Sequence, residues 1–247
     1  FGTMTKPFHP GAAARAGLLS ALMASKGFTS SGKALEAPRG FIQVASDKRA
    51  WHEITDELGS RFEISFNTYK PFACGIVIHP SIDACAQLHD KGITPEQIER
   101  LDLRVHSLVL ELTGKKEPQD GLQGKFSVYH GCAAGLIYGR AGEDEFSDAV
   151  VCDPRVVETR RKVHAQIDDS IDEAAVHISA WLKNGERIDI HVEHAIGSLQ
   201  KPLSDSQLEA KFNALVVPVL GQARAHDITQ ACWKLGSLQD VKALTQL

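Results

Sequence analysis

Apolar and polar positions change their rhythm along this chain near residue 60. From Ala12 to Lys26 the run AAARAGLLSALMASK is dense in strong helix formers and stops at Gly27, which predicts a helix with little bulk on one side, able to pack closely against neighbours. Residues 28–45 are rich in Gly, Ser and Pro and read as a loop, and a helix is expected from about Lys48 to Leu58. At Phe62, Ile64 and Phe66 large apolar residues alternate with polar ones. That is the period of a strand, and a second domain is expected to start here.

Beyond that point the pattern mixes strands and helices. Ser81 to Lys91 reads as a helix ended by Gly92, Thr94 and Gln97 have capping-box spacing, and a strand is expected from Asp102 to Leu112. Phe126 to Tyr138 is helical and rich in small residues, and Asp153-Pro154 opens a helix expected to reach about Ala165. Asn184-Gly185 between Ala175–Leu182 and Arg187–His194 predicts an antiparallel hairpin with a type I′ turn. After Gly197 helical texture returns: Ser204 and Gln207 form a capping box, Leu208, Phe212 and Leu215 share a face, and two further helices are expected around 228–235 and 238–246. No internal repeat or low-complexity tract interrupts the pattern.

Composition narrows the function classes. With 247 residues, 43% of them hydrophobic and 23% charged, the chain can bury a sizeable core as one or two domains. No apolar run approaches the roughly 18 residues that span a bilayer, and no segment resembles a secretory signal, so no membrane partner and a cytoplasmic location are expected. A net charge of −4 without a local basic patch argues against nucleic acid. The five cysteines, Cys74, Cys85, Cys132, Cys152 and Cys232, lack metal-site spacing and read as free, mostly buried thiols. The chain opens on Phe1, inside what looks like a motif, so a segment upstream of it is expected.

Three blocks carry a family resemblance. Gly2-Thr3-Met4-Thr5-Lys6-Pro7-Phe8-His9-Pro10-Gly11-Ala12-Ala13 resembles the G-T-x-x-K-P-h-H-x-G-x-A-A of the MmgE/PrpD family. Lys70-Pro71-Phe72-Ala73-Cys74-Gly75 with His79-Pro80-Ser81-Ile82-Asp83-Ala84 is similar to its K-x-y-P-x-C-x-x-x-H-x-x-x-D-A, with Ala73 in place of the usual proline. Lys125-Phe126-Ser127, Lys201-Pro202-Leu203-Ser204 and Lys211-Phe212 resemble its A-K-F-S, K-P-L-S and K-F. The resemblance runs from end to end and implies an α+β chain. Residues 1–61 and 196–247 would belong to an all-helical domain incomplete at its N-terminus, and 62–195 to an α+β lid with antiparallel strands inserted between them. The family's His- and Asp-rich segments lie upstream of everything present here.

The same resemblance implies a lyase that eliminates water or carbon dioxide from a small di- or tricarboxylic acid, without metal or cofactor, as a homodimer. 2-Methylcitrate dehydratases, cis-aconitate decarboxylases and epimerases share the family, and an epimerase would use the same proton abstraction. A non-catalytic remnant that only binds an anion or a partner is the reading from a different class. Lys6 and His9 precede the helix expected from Ala12, whose free N–H groups favour an anion. A solvated lysine and a capping histidine explain the pair equally well without the family. By analogy, Lys6 holds a substrate carboxylate and stabilises a carbanion-like intermediate, with His9 beside it. Lys70 is expected as a second clamp, and Tyr129 as a substrate contact. His130 aligns with a substrate-touching position and is expected to carry a proton, although a packing Tyr and an exposed His would fit as well. Cys74 and His79 read as structural. His191 and His194 point to opposite faces of a strand and share no metal.

Overall fold

The computed structural model describes residues 3–245. Within them the chain divides into two compact units, Thr3–Asn67 and the remainder from Thr68 onward.

The first unit is helical. Its main element is α1 (Thr5–Ser25), none of whose residues is buried. It begins at Thr5 rather than Ala12, because a proline in the first turn forfeits an N–H that has no intrahelical acceptor anyway. Lys6 and His9 are therefore helical residues. Two short helices follow, α2 (Phe41–Ala45), within the expected loop, and α3 (His52–Thr55). The helix expected from Lys48 to Leu58 shrinks to α3, since Glu57 and Gly59 take positive φ angles of 54° and 85° that no right-handed helix accommodates. The strand expected at Phe62–Phe66 is a 3₁₀ turn, Glu63–Phe66. The apolar alternation there meets no neighbouring strand. The backbone pairs locally instead, Ser65 N–H donating to the Phe62 carbonyl at 3.0 Å and Asn67 N–H to that of Ile64 at 3.2 Å.

The second unit is α+β. After a 3₁₀ turn at Ile76–Ile78 come α4 (His79–Asp90) and β1 (Ile98–Val105), then α5 (Ser107–Thr113), α6 (Gly121–Gly124), α7 (Val128–Tyr138), α8 (Asp148–Val151) and α9 (Pro154–Arg161). The strands β2 (Val163–Ile167), β3 (Val176–Leu182) and β4 (Arg187–Val192) precede α10 (Asp205–Leu220), α11 (Gln222–Trp233) and α12 (Lys242–Thr245). The sheet order is β2-β1-β3-β4. β1 pairs antiparallel with β3 and β3 with β4, as the hairpin predicts, whereas β1 pairs parallel with β2, Leu101 opposite Val163. The helices α5 to α9 supply the long crossover that a parallel pair requires.

Several expected boundaries move for identifiable reasons. The strand expected to run to Leu112 stops at Val105 because the His106 side chain accepts the Leu108 N–H at 3.2 Å and caps a new helix. The helix opened by Asp153-Pro154 does begin there, with the Asp153 carboxylate accepting Arg155 N–H at 2.8 Å, but it ends at Arg161 and the next residues become β2. The hairpin turn is not type I′. Lys183 and Asn184 keep negative φ and only Gly185 is positive, at 86°, so a type I turn is followed by a glycine bulge. The Gly185 N–H donates to the Leu182 carbonyl at 2.9 Å. The Ser204–Gln207 capping box forms as expected, and the last two helices fall at α11 and α12.

The core lies between the inner sheet face and the helices. Ile98, Leu101, Leu103 and Val105 of β1 and Val176, Ile178, Ala180 and Leu182 of β3 are buried against it. α4 and α7 pack through glycine: a Cβ on Gly135 would stand 2.8 Å from the Ile82 carbonyl oxygen, and one on Gly131 3.0 Å from the Ile82 side chain. The small-residue run of α7 is thus what lets the two helices approach. Cys74, Cys85 and Cys132 are buried free thiols, and Cys152 and Cys232 are exposed ones.

Candidate active site

The second and third motif blocks, far apart in sequence, meet in the second unit. Lys70 Nζ donates to the Cys74 carbonyl at 3.0 Å, and Gly75 N–H donates to the Lys125 carbonyl at 3.1 Å, tying the Lys70–Gly75 segment to the Lys125-Phe126-Ser127 turn. Ser127 acts locally, its hydroxyl accepting the His130 N–H at 3.1 Å and capping α7. Asp83 collects the remaining block. Its carboxylate accepts from Gln87 Nε2 at 3.0 Å, Ile196 N–H at 2.9 Å and Lys201 Nζ at 3.2 Å. Gly197 closes the arrangement from the other side. Its φ is +88°, and a Cβ there would lie 2.4 Å from the Tyr69 carbonyl, so the backbone before Lys201 rests against the backbone before Lys70 only as glycine.

His79 is the buried first residue of α4. Its ring packs edge-on against Phe72 at 5.3 Å, and its Nε2 is buried with no partner among the described residues. Its pKa is lowered to about 4, first by burial and then by the positive charge of Lys70, with a weaker contribution from Lys211, while a hydrogen bond to the Cys74 backbone opposes the shift. The imidazole is neutral at neutral pH. Burial likewise pushes the Cys74 thiol up to about 12, against the pull of Lys70 and Lys125. That thiol is protonated and unreactive. The charges of Lys70 and Lys211 thus act on a neutral, buried histidine and those of Lys70 and Lys125 on the thiol, while Lys125 Nζ is itself paired with the Glu143 carboxylate at 2.6 Å.

The sequence-derived candidates are distributed unevenly. Lys70 lies in this cluster, exposed and bonded to the Cys74 carbonyl. Lys6 and His9 are exposed in the other unit, one turn apart on α1. The helix starts at Thr5 and not at Ala12, so its free N–H groups lie in the turn that holds Lys6 itself, with His9 one turn further on. His130 is 0% exposed. One of its ring nitrogens, Nε2, donates to the Glu145 carbonyl at 2.9 Å and the other is buried without a partner among the described residues. Burial lowers its pKa to about 4. It is therefore an enclosed, neutral histidine held to the backbone of the Asp144–Phe146 turn. Tyr129 is buried and lines a different cavity, its ring 5.9 Å from Lys116 Nζ. His191, given no role, stacks on His177 at 3.9 Å across the β3–β4 pair, and His194 follows the end of β4.

His79, read from sequence as structural, does begin α4 before Pro80. Among the described residues no group of three or more His, Cys, Asp or Glu side chains is set to hold a metal ion. No helix there is long and apolar enough to cross a membrane.

This mixed helix–sheet unit carries two motif lysines whose charge acts on a buried histidine, and comparison gives it a family. Residues 72–235 match the MmgE/PrpD C-terminal domain and residues 2–54 the MmgE/PrpD N-terminal domain. The chain belongs to the MmgE/PrpD family. It is similar to the cis-aconitate decarboxylase of Mus musculus, 26% identical across 99% of this chain and 52% of the relative. It is also similar to the cis-aconitate decarboxylases of Homo sapiens, at 24% identity, and Aspergillus terreus, at 25%. The chain spans about half the length of the curated relatives it matches.

Proposed function

We propose that the chain forms the carboxylate-clamping part of a lyase acting on a small di- or tricarboxylic acid, by decarboxylation of a cis-aconitate-like acid or loss of water from a methylcitrate-like one. The observation that carries this reading is the positive charge of Lys70 and Lys211 acting on neutral, buried His79, in a chain similar along its whole length to cis-aconitate decarboxylases. Removal of carbon dioxide or of a proton beside a carboxylate leaves negative charge on the substrate. Fixed cations in a partly dehydrated site lower the energy of that charge. Lys70 is the clamp offered by the second unit and Lys6 the one offered by α1, with His9 beside Lys6. Lys70 is oriented by the Cys74 carbonyl, and His79, whose ring packs on Phe72 of the same segment, is the residue assigned to position it. In this reading Thr68 onward includes the lid.

The test is steady-state kinetics of the intact gene product on cis-aconitate and 2-methylcitrate. Lys70→Met and Lys6→Met are each expected to lower kcat/KM by roughly the 2–5 kcal/mol lost when one partner of a desolvated charge pair is removed. Unchanged kcat/KM in both variants would sink the clamp assignment. His79→Gln is expected to raise KM more than it lowers kcat, the mark of a residue that acts through Lys70.

A further inference from the structure

Away from that cluster, α9, the start of β2 and the loop around Lys116–Gln119 wall a cavity of about 440 Å³, within the roughly 300–1,000 Å³ range of small-molecule sites. Three permanent cations line it, Lys116, Arg160 and Arg161, against one carboxylate, Glu117. Arg160 is the informative member. It is only 6% exposed, yet its guanidinium makes a single hydrogen bond, Nη1 to the Val151 carbonyl at 3.3 Å, and no ion pair among the described residues. A guanidinium has five N–H donors, and those of Arg160 not bonded to Val151 keep contact with solvent while the rest of the residue is enclosed. The buried carboxylate of Glu145, by contrast, is paired with Arg140 at 2.8 Å. Burial lowers the pKa of Arg160, Cys152 and then Glu117 oppose the shift, and Arg161 adds to it. The rest of the wall is of a different kind. Val157 and Val163 give it an apolar side, and Tyr129 stands under Lys116, its hydroxyl kept protonated because burial raises its pKa.

We propose that this cavity binds a small organic anion with a short apolar body, its carboxylate or phosphate head on Arg160 and its body against Val157 and Val163. The site shares no residue with the Lys70–His79 cluster and does not depend on the function proposed for it. A rim of lysine and arginine draws the anion in, and the buried guanidinium supplies two parallel donors to its oxygens.

Cys152 lines the same cavity and is exposed, while Cys232 is an exposed thiol outside it, so one molecule carries both the reporter and its control. The experiment is alkylation of the 247-residue chain followed site by site by mass spectrometry, with butyrate, monobutyl phosphate or inorganic phosphate present. Butyrate or monobutyl phosphate is expected to slow labelling of Cys152 at least fivefold in a saturable manner and to leave Cys232 unchanged. Which of the two protects at lower concentration identifies the head group. Arg160→Gln should raise the half-protecting concentration at least tenfold. Because a buried arginine can matter for folding, Lys116→Met and Arg161→Gln, both at exposed positions, provide the second line and should each raise it severalfold. Absence of protection by any of the probes would overturn the site. Equal protection by inorganic phosphate would overturn the apolar body, and protection unchanged in all three variants would overturn the role of the cations.

Discussion

At the residue scale the second unit depends on a few groups whose surroundings, not their identities, set their behaviour. His79 and His130 each have a pKa lowered to about 4 from an ordinary 6.5, in both cases chiefly by burial. A histidine with a depressed folded pKa binds its proton more readily in the unfolded chain, so acid favours unfolding. Stability from both residues is expected to be complete above pH 6.5, to decline as pH falls below it, and to level off below about 4. Urea unfolding at steps between those values checks this. His130→Phe should flatten the decline, and an unaltered slope would show that other groups carry it. Asp83 makes a second case. Asp83→Ala removes the acceptor of the Ile196 N–H and of Lys201, and is expected to cost about 1–3 kcal/mol, the penalty of a buried donor left unmade, rather than the few tenths of an exposed ion pair. The motif lysines and Asp83 were legible as residues of interest from sequence. That Asp83 ties Lys201 to α4 was not, since more than a hundred residues of chain separate them and only folding makes them neighbours.

At the element scale the contact between α4 and α7 decides how the helices lie on the sheet. Alanine is favoured over glycine inside a helix by about 1 kcal/mol, so propensity alone recommends Gly135→Ala. Packing opposes it: the added methyl would stand 2.8 Å from the Ile82 backbone oxygen, which cannot swing aside as a side chain can. Overpacking of about 1–3 kcal/mol is expected to win, so Gly135→Ala should be destabilising in chemical unfolding. Gly131→Ala, which meets only side chains, Ile82 nearest, should be closer to neutral. A stabilised Gly135→Ala variant would mean that α4 and α7 are not held in this register. Elements with a local signal, the Asp153-Pro154 helix start, the Ser204 capping box and the hairpin, appear where the sequence puts them. Elements whose end depends on a neighbour do not. β1 gives way to α5 at a His106 cap, and β2 is a strand because β1 offers it a parallel partner.

At the scale of the whole molecule, burial is concentrated in the second unit. Its core joins β1, β3, β4, α4 and α7, while α1 buries none of its residues and exposes Leu18 and Leu22. Native-state hydrogen exchange is expected to show greatest protection in β1, β3 and α7 and little beyond local helix opening in α1. Equal protection in α1 would require a partner surface for it. Exposed apolar groups also include Leu215, Val219, Leu220 and Trp233 on α10 and α11. Surfaces of this kind promote association. Sedimentation of the purified 247-residue chain is therefore expected to show concentration-dependent assembly. With Lys6 and Lys70 both open to water, where charges act through a high dielectric, this chain by itself is expected to give no detectable turnover of cis-aconitate. Turnover proportional to its concentration would refute that.

The sequence by itself determined the α+β character, the family, the hairpin and the capped helix starts, because each rests on residues close together or on a motif long enough to be specific. The tertiary structure decided which of the named residues act together. It set Lys70 beside His79 and Lys125, turned His130 inward onto the Glu145 carbonyl, and left Arg160 at a cavity wall with one hydrogen bond among the described residues. Burial and the direction of a side chain depend on neighbours distant in the chain, so no local pattern of residues encodes them.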